Sequence, residues 1–349
     1  MTSFISIQEA AELEVASFSK LVESVNLLTE NGLITESFDD AKKALIAKLK
    51  TAFEKIKTFI NAIKAKLISY AESKLTPKVN ALCQKARKAA QEGKLPNVGN
   101  IKIAQLSFYK PEKSEKNVDM SDEDYLNNIK ANKEIIAKFK EVIMNTKFSL
   151  DSGDKFNDNK YDIANKAKDN VENQSVVKEF INKNFDGKTR FSLIYMNLND
   201  QDPKKAVFKL ANYISTQTKN ISELGKLYQG LLKLEGVFEK AMSKFTGLIN
   251  NFKAGSTDRI VNKYSWLDIK TDLDTLKTIA NTVSGLYTGY IKEIIANCIT
   301  LGKLLHDKNA RIAPDDFQIP DDMKLNYEKL EYEKGTYEGL DGKQHEFFE

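Results

Sequence analysis

A mainly α fold, with long amphipathic helices forming bundles and a small α+β insert mid-chain, follows from three observations. Apolar residues recur at spacings of three and four over long stretches, the mark of helices with one buried face. Good helix formers are plentiful and prolines number only six, so little interrupts those helices. Two short segments alone carry the β-branched and aromatic alternation of strands. With 349 residues, 41% hydrophobic and 29% charged, the chain can bury one large core or two to three ordinary ones.

Five segments follow in order: an acidic helical leader at 1–36, a basic amphipathic helical region at 37–95, a small α+β region at 96–203, a long-helix bundle at 204–311 and an acidic tail at 312–349. Ser6-Ile7-Gln8-Glu9 is a capping box, in which the serine hydroxyl and the glutamate carboxylate satisfy backbone donors at a helix start. The helix it starts, over about 7–28, turns Ala11, Phe18, Leu21, Val22, Val25 and Leu28 to one face. Asn31-Gly32 breaks it, since both tolerate positive φ.

Ser37-Phe38-Asp39-Asp40 begins the clearest helix, with Leu45, Leu49, Ala52, Phe53, Ile56, Phe59, Ile60, Ile63 and Leu67 in register. Thr76-Pro77 ends or kinks it, because proline disfavours helix in the residue before it. From Lys42 to Lys94 there are fourteen Lys and Arg against three acids, in a chain whose net charge is only +4. Positive charge is therefore segregated. Gly93 to Gly99, with Pro96, forms a boundary.

Beyond it, Lys102 to Tyr109 and Arg190 to Leu198 are predicted strands of one small sheet, with helices at about 122–146 and 160–183 between them and the polar stretch Asp151 to Asn159 joining those helices. Long helices return at about 204–219, 221–252 and 264–306. Gly225, Gly230, Gly236, Gly247, Gly285, Gly289 and Gly302 lie inside them, although each costs about 1 kcal/mol relative to alanine. Gly285 and Gly289 share a face, where core packing would bring a neighbouring helix close. After Ala313-Pro314 periodicity fades into a segment with eleven acids and four lysines, interspersed with Tyr and Phe. It reads as a loosely docked tail that masks basic surface on this chain or a neighbour, or as a dedicated partner-binding segment.

Signals for specific chemistry are sparse. Cys83 and Cys298 lie in apolar helical contexts, where free cysteine packs as a small hydrophobe. With His306 and His345 as the only histidines and no CxxC or HExxH spacing, neither metal nor cofactor is expected. P-loop, GxGxxG and GxSxG motifs are missing. Arg190, Ser215-Thr216 and Glu331-Tyr-Glu333 follow the residue order of ADP-ribosyltransferases, but about 115 residues of predicted helix separate the second and third parts, where that family has a compact β-core.

The longest uncharged run, Thr278 to Ile291, is shorter than the roughly 20 residues that span a bilayer. No membrane span is expected, and the acidic N-terminus is unlike a signal peptide. The expectation is a soluble protein made in the cytoplasm.

Lys42, Lys43, Lys48, Lys50, Lys55, Lys57, Lys64 and Lys66 of the basic helix are candidate DNA-binding residues. Helical lysine rows attract phosphates without regard to sequence. The same row also serves as the solvated face of an ordinary core helix, and interfacial membrane helices have a similar pattern.

Leu21-Val22-Glu23-Ser24, Leu28-Thr29-Glu30-Asn31 and Ile34-Thr35-Glu36-Ser37 each resemble the Leu/Ile-x-Glu cleavage pattern read by prohead proteases of large tailed bacteriophages. Candidate cuts then follow Glu23, Glu30 and Glu36. Ile221-Ser-Glu223 and Ile291-Lys-Glu293 match too but lie in predicted helices, so clustering and loop placement carry the resemblance. Phe4-Ile-Ser-Ile-Gln-Glu-Ala-Ala-Glu-Leu13, with the Lys/Ala/Phe-rich helix that follows, also resembles internal head and other virion structural proteins of giant myoviruses, over about 75 residues.

The resemblance implies a non-enzymatic head protein, made in the host cytoplasm and packaged in the virion. Its leader would direct it into the prohead core and be removed by the prohead protease. Its partners would be other virion proteins and, nonspecifically, DNA. The acidic tail departs from a simple DNA-condensing protein. Two other classes remain: a phage-borne or secreted host-directed helical effector or toxin, with the glycine-bearing C-terminal helices as its working part, and a cytoplasmic helical scaffold.

Overall fold

The chain is mainly α, and its apolar stripes are its core. The computed structural model describes residues 4–30, 38–93, 101–108, 118–119, 122–148, 176–189, 191–198, 202–251, 259–305, 336–338 and 344–346. The Asn31-Gly32 break, the Asp151–Asn159 connector, residues 160–175, the strand ends Tyr109 and Arg190, and most of the acidic tail lie outside them.

Helix α1 spans Phe4–Glu30 and α2 spans Phe38–Ala62. The stripe of α2 from Leu45 to Ile63 is at most 1% exposed at each apolar position expected from the spacing. Helix α1 buries Phe4, Ala11, Val15, Phe18 and Val22; Leu21, expected on the same face, is only half-buried.

Pro77 does not end the helical run. Its hydrogen bonds widen to the π pattern over Ile63–Ile68 and Ala71–Leu75, and α3, Thr76–Gln91, continues directly. Thr76 stays helical at φ −55°, ψ −46°, and its N–H reaches back five residues to the Ala71 carbonyl. The Thr76 hydroxyl donates to the same oxygen at 2.8 Å. Pro77, the second residue of α3, supplies no N–H to the turn before it, and the wider π turns accommodate that missing bond where a regular α-helix would break. Gly93, at φ 69°, follows the end of α3.

Strand β1 (Ile101–Ser107) pairs antiparallel with β3 (Ser192–Leu198), Ile101 opposite Leu198 and Ser107 opposite Ser192. A two-residue strand β2 (Val118–Asp119), too short to show in a hydropathy pattern, adds to β3 in parallel and gives the order β1-β3-β2. Helix α4 (Asp122–Asn145) and a second helix, α5, over 176–185 lie between β2 and β3. Asp186 and Gly187, both at positive φ, turn the chain out of α5, with the Gly187 N–H on the Ile181 carbonyl.

Pro203–Asn251 is one unbroken helix, α6, where the sequence suggested two. Helix α7 spans Arg259–Leu304. Within the tail, Thr336–Glu338 (β4) and Gln344–Glu346 (β5) pair antiparallel. No described helix is long and apolar enough to cross a membrane.

The chain forms two compact units, each drawn from three stretches: unit 1 from Met1–Lys64, Ile135–Arg190 and Leu224–Gly285, unit 2 from Ala65–Glu134, Phe191–Glu223 and Leu286–Glu349. Unit 1 has an aromatic core: Phe53 and Phe148 meet Phe238 at 5.1 and 5.4 Å, and Phe139 stacks on Phe180 at 5.4 Å. In unit 2, α7 packs on the sheet. A Cβ at Gly289 would lie 2.6 Å from Leu106 Cδ1, so the glycine is needed for a β1 side chain, not for the neighbouring helix the sequence suggested. At Gly230 in unit 1 the neighbour is a helix: a Cβ there would lie 2.9 Å from Ile143 Cγ2 of α4.

Candidate functional site

Helix α1 is packed as a core element of unit 1. Phe4 meets Phe59 at 5.6 Å and Phe18 meets Trp266 edge-on at 6.4 Å. Full burial of a valine or phenylalanine contributes about 1.5–3 kcal/mol each, so these contacts hold α1 firmly. Polar bonds fix its register. Gln8 Nε2 donates to Glu12 and to Asn281 Oδ1, and Asn281 Nδ2 donates to the same Glu12 oxygen, all at 3.1 Å.

Of the three cleavage-pattern glutamates, Glu23 lies inside α1 and is paired with Lys270. That bond, more than the accompanying charge attraction, holds its carboxyl below the usual range. Glu30 is the last residue of α1. Glu36 lies outside the described residues, two positions before α2 begins at Phe38. Glu293, in one of the stray matches, is fully buried.

The candidate lysines do not all face solvent. Lys43, Lys50, Lys55 and Lys64 are exposed, while Lys48, Lys57 and Lys66 are half-buried; of Lys42 the helical backbone alone is described. Lys48 donates to Glu14 of α1 at 2.7 Å. Lys57 donates to Glu239 at 2.9 Å, with Glu235 at 4.0 Å. The bond to Glu239 leads the causes that raise the Lys57 pKa, whereas burial pushes the Glu235 carboxyl up and Lys57 only partly offsets it. Two members of the lysine row therefore meet acids of the protein itself. Lys50 and Lys55 stand out on the solvent side of the same helix.

Unit 2 holds polar residues that the sequence did not single out. Asn297 accepts from the Ala104 N–H at 2.7 Å and donates to the Ala104 carbonyl at 2.9 Å, covering the open edge of β1 as a further strand would. Gln105 is 1% exposed; it donates to the Tyr125 carbonyl and accepts from Asn128. Glu293, Tyr125 and Tyr290 are buried with side-chain oxygens that have no hydrogen-bond partner among the described residues. The signal was present in the spacing: Tyr290, Glu293 and Asn297 fall on the apolar stripe of α7. Taken alone, they look like interruptions of that stripe.

Cys83 and Cys298 are free and buried, and Cys83 Sγ donates to the Ala211 carbonyl at 3.6 Å. Among the described residues no group of three His, Cys, Asp or Glu is placed to hold a metal ion. Ser215, from the ADP-ribosyltransferase-like order, sits inside α6, where its hydroxyl donates to the Ala211 carbonyl and accepts from Arg87 at 3.1 Å. Comparison with protein families, with curated proteins and with solved structures found no match.

Proposed function

We propose that this chain is a non-enzymatic virion structural protein, an internal head component packaged with phage DNA and cut by a prohead protease. The supporting observation is the position of two cleavage patterns: Glu30 closes α1 and Glu36 lies just ahead of α2. Leu28, Thr29 and Glu30 form the end of α1, so a protease cutting after Glu30 must fray that last turn, and Glu36 lies beyond both helices' bounds, whereas Glu23, Glu223 and Glu293 lie well inside helices. Burial of α1 adds a refinement. The leader is a built-in helix of unit 1, so a cut after Glu30 or Glu36 breaks the backbone without itself breaking the Phe4, Phe18 and Gln8 contacts.

The DNA-facing part of the reading narrows to the exposed lysines. Lys50 and Lys55 are open to solvent, as an approach to phosphates requires, while Lys48 and Lys57 engage Glu14 and Glu239. Of the glycines behind the effector alternative, Gly289 has a packing reason in Leu106 and Gly230 one in Ile143, while Gly225, Gly236 and Gly247 have none within 4 Å.

Peptide mapping of chain termini in purified particles tests the proposal. The expected chains begin at Asn31 or Ser37. Abundant intact chains retaining residue 1 would overturn the processing reading. For the DNA-binding part, replacing Lys50 and Lys55 by glutamine should flatten the salt dependence of duplex binding, by about 0.9 in log-log slope for each phosphate that is no longer neutralised.

A further inference from the structure

In unit 2, Glu293 of α7 is 0% exposed and neither carboxyl oxygen has a hydrogen-bond partner among the described residues. The groups facing it come from three elements. From α4 comes Tyr125, whose hydroxyl is likewise buried and unbonded; from α7 itself, Tyr290, in the same condition. From β1 comes the backbone amide of Leu106, which favours the charged form without reaching hydrogen-bond geometry. Behind Tyr125, the Tyr213 ring of α6 lies tilted against it at 3.9 Å and Gln217 lies near the Tyr125 hydroxyl. None of these groups is a cation.

A carboxylate stripped of water, with neither a cation nor a set of donors, is strongly disfavoured, and the ordinary escape is to take up a proton. The phenols offer no escape by ionising, since burial raises Tyr125 and Tyr290 far above their usual range.

We propose that Glu293 is a buried proton-binding site that makes unit 2 pH-responsive: protonated, it lets α7 close on β1 and α4; ionised, it loosens that packing. Burial raises its carboxyl from 4.5 to about 8. The folded chain thus holds a proton that the unfolded chain gives up near 4.5. Stability from this group is complete below about 4.5, declines as pH rises, and reaches its floor above about 8, where both states are ionised. The inference is independent of the virion reading, since it concerns the packing of unit 2 alone.

Glu293→Gln keeps the volume and removes the titration, so it separates this group from Asp268, which burial raises to about 6 and which both proteins share. Equilibrium unfolding of full-length wild type and variant should be compared from pH 5 to 9. The wild-type unfolding constant relative to that of the variant should climb by up to tenfold per pH unit and level off above about 8. Exchange of the Ile103–Leu106 amides, corrected for intrinsic rates, should quicken above that pH in wild type alone. A ratio that stays constant from pH 5 to 9 would overturn the proposal.

Should the variant fail to fold, carboxyl titration of wild type labelled with 13C-glutamate decides the matter. A glutamate still protonated at pH 7 supports the site, and complete ionisation of every glutamate by pH 6 rejects it.

Discussion

Unit 1 and unit 2 differ in the partners they give their charged and polar groups. In unit 1 the half-buried lysines 48, 57 and 270 each meet a carboxylate, of Glu14, Glu239 and Glu23. Unit 1 buries acids as well: Asp272 is 0% exposed, and burial raises the half-buried Asp268 to about 6. In unit 2 Glu293 has no charge partner among the described residues, and the bonds that matter there are neutral: Asn297 on the Ala104 peptide, Gln105 on Tyr125 and Asn128. The difference teaches which polar groups define structure. Pairs at the edge of water add little because solvent already screens them. Neutral bonds in a dry core matter through the cost of leaving either partner unmade.

The comparison breaks most readily at Phe18. If α1 is a true core helix, Phe18→Ala should destabilise unit 1 by about 3–5 kcal/mol, while Leu13→Ala on the same helix, 70% exposed, should change stability by less than about 0.5 kcal/mol. Chemical denaturation measures both, and equal small losses would make α1 a peripheral element.

Close approach gives the next test. Gly289→Ala forces a methyl group towards Leu106 and should cost about 1–3 kcal/mol. Gly236→Ala, with nothing within 4 Å of the new atom, should stabilise by about 0.5–1 kcal/mol. Calorimetric melting should show opposite signs.

Asn297→Ala leaves the Ala104 N–H and carbonyl unpaired in the core, at a cost of about 1–3 kcal/mol. Faster hydrogen exchange at Ala104 would accompany it. Unchanged exchange would mean that another group covers that edge of β1.

Lys48→Gln should do least, about 0–1 kcal/mol and less at high salt. A loss above about 2 kcal/mol, read by denaturation at two salt concentrations, would show that unit 1 depends on its ion pairs as unit 2 depends on its neutral bonds.

Much of the local architecture was legible beforehand. The α2 stripe is buried at the positions its spacing selects, and the two strand segments pair with one another, because helix and strand periodicities are local properties of a few turns or residues. Phe4 and Val15 were missed from the α1 face, and β2 was invisible, since two residues carry no period. Pro77 and the junction near Asn220 looked like breaks because local propensity disfavours helix there. Packing overrode both: the chain widens into π turns before Pro77, and Asn220, 6% exposed and bonded to Gln217, lies within an unbroken α6.

The candidate site was legible in part. Pattern selected Glu30 and Glu36 as candidates, and charge count selected the lysine row. Which lysines are spent on internal acids was not legible, because Lys57 and Glu239 are separated by 182 positions.

The sequence by itself determined the mainly α class, the buried stripe of α2, the segregation of positive charge and the two strands that pair. Those properties follow from residue type and short-range spacing. Tertiary structure alone decided that α1 belongs to a core, that each unit gathers three distant stretches, and that Gly289 serves Leu106 while Asn297 serves Ala104. It also decided that Glu293 is a dry acid and not a solvated one. Each of these depends on what distant residues bring to the same place, and so on the removal of water, which no local pattern records.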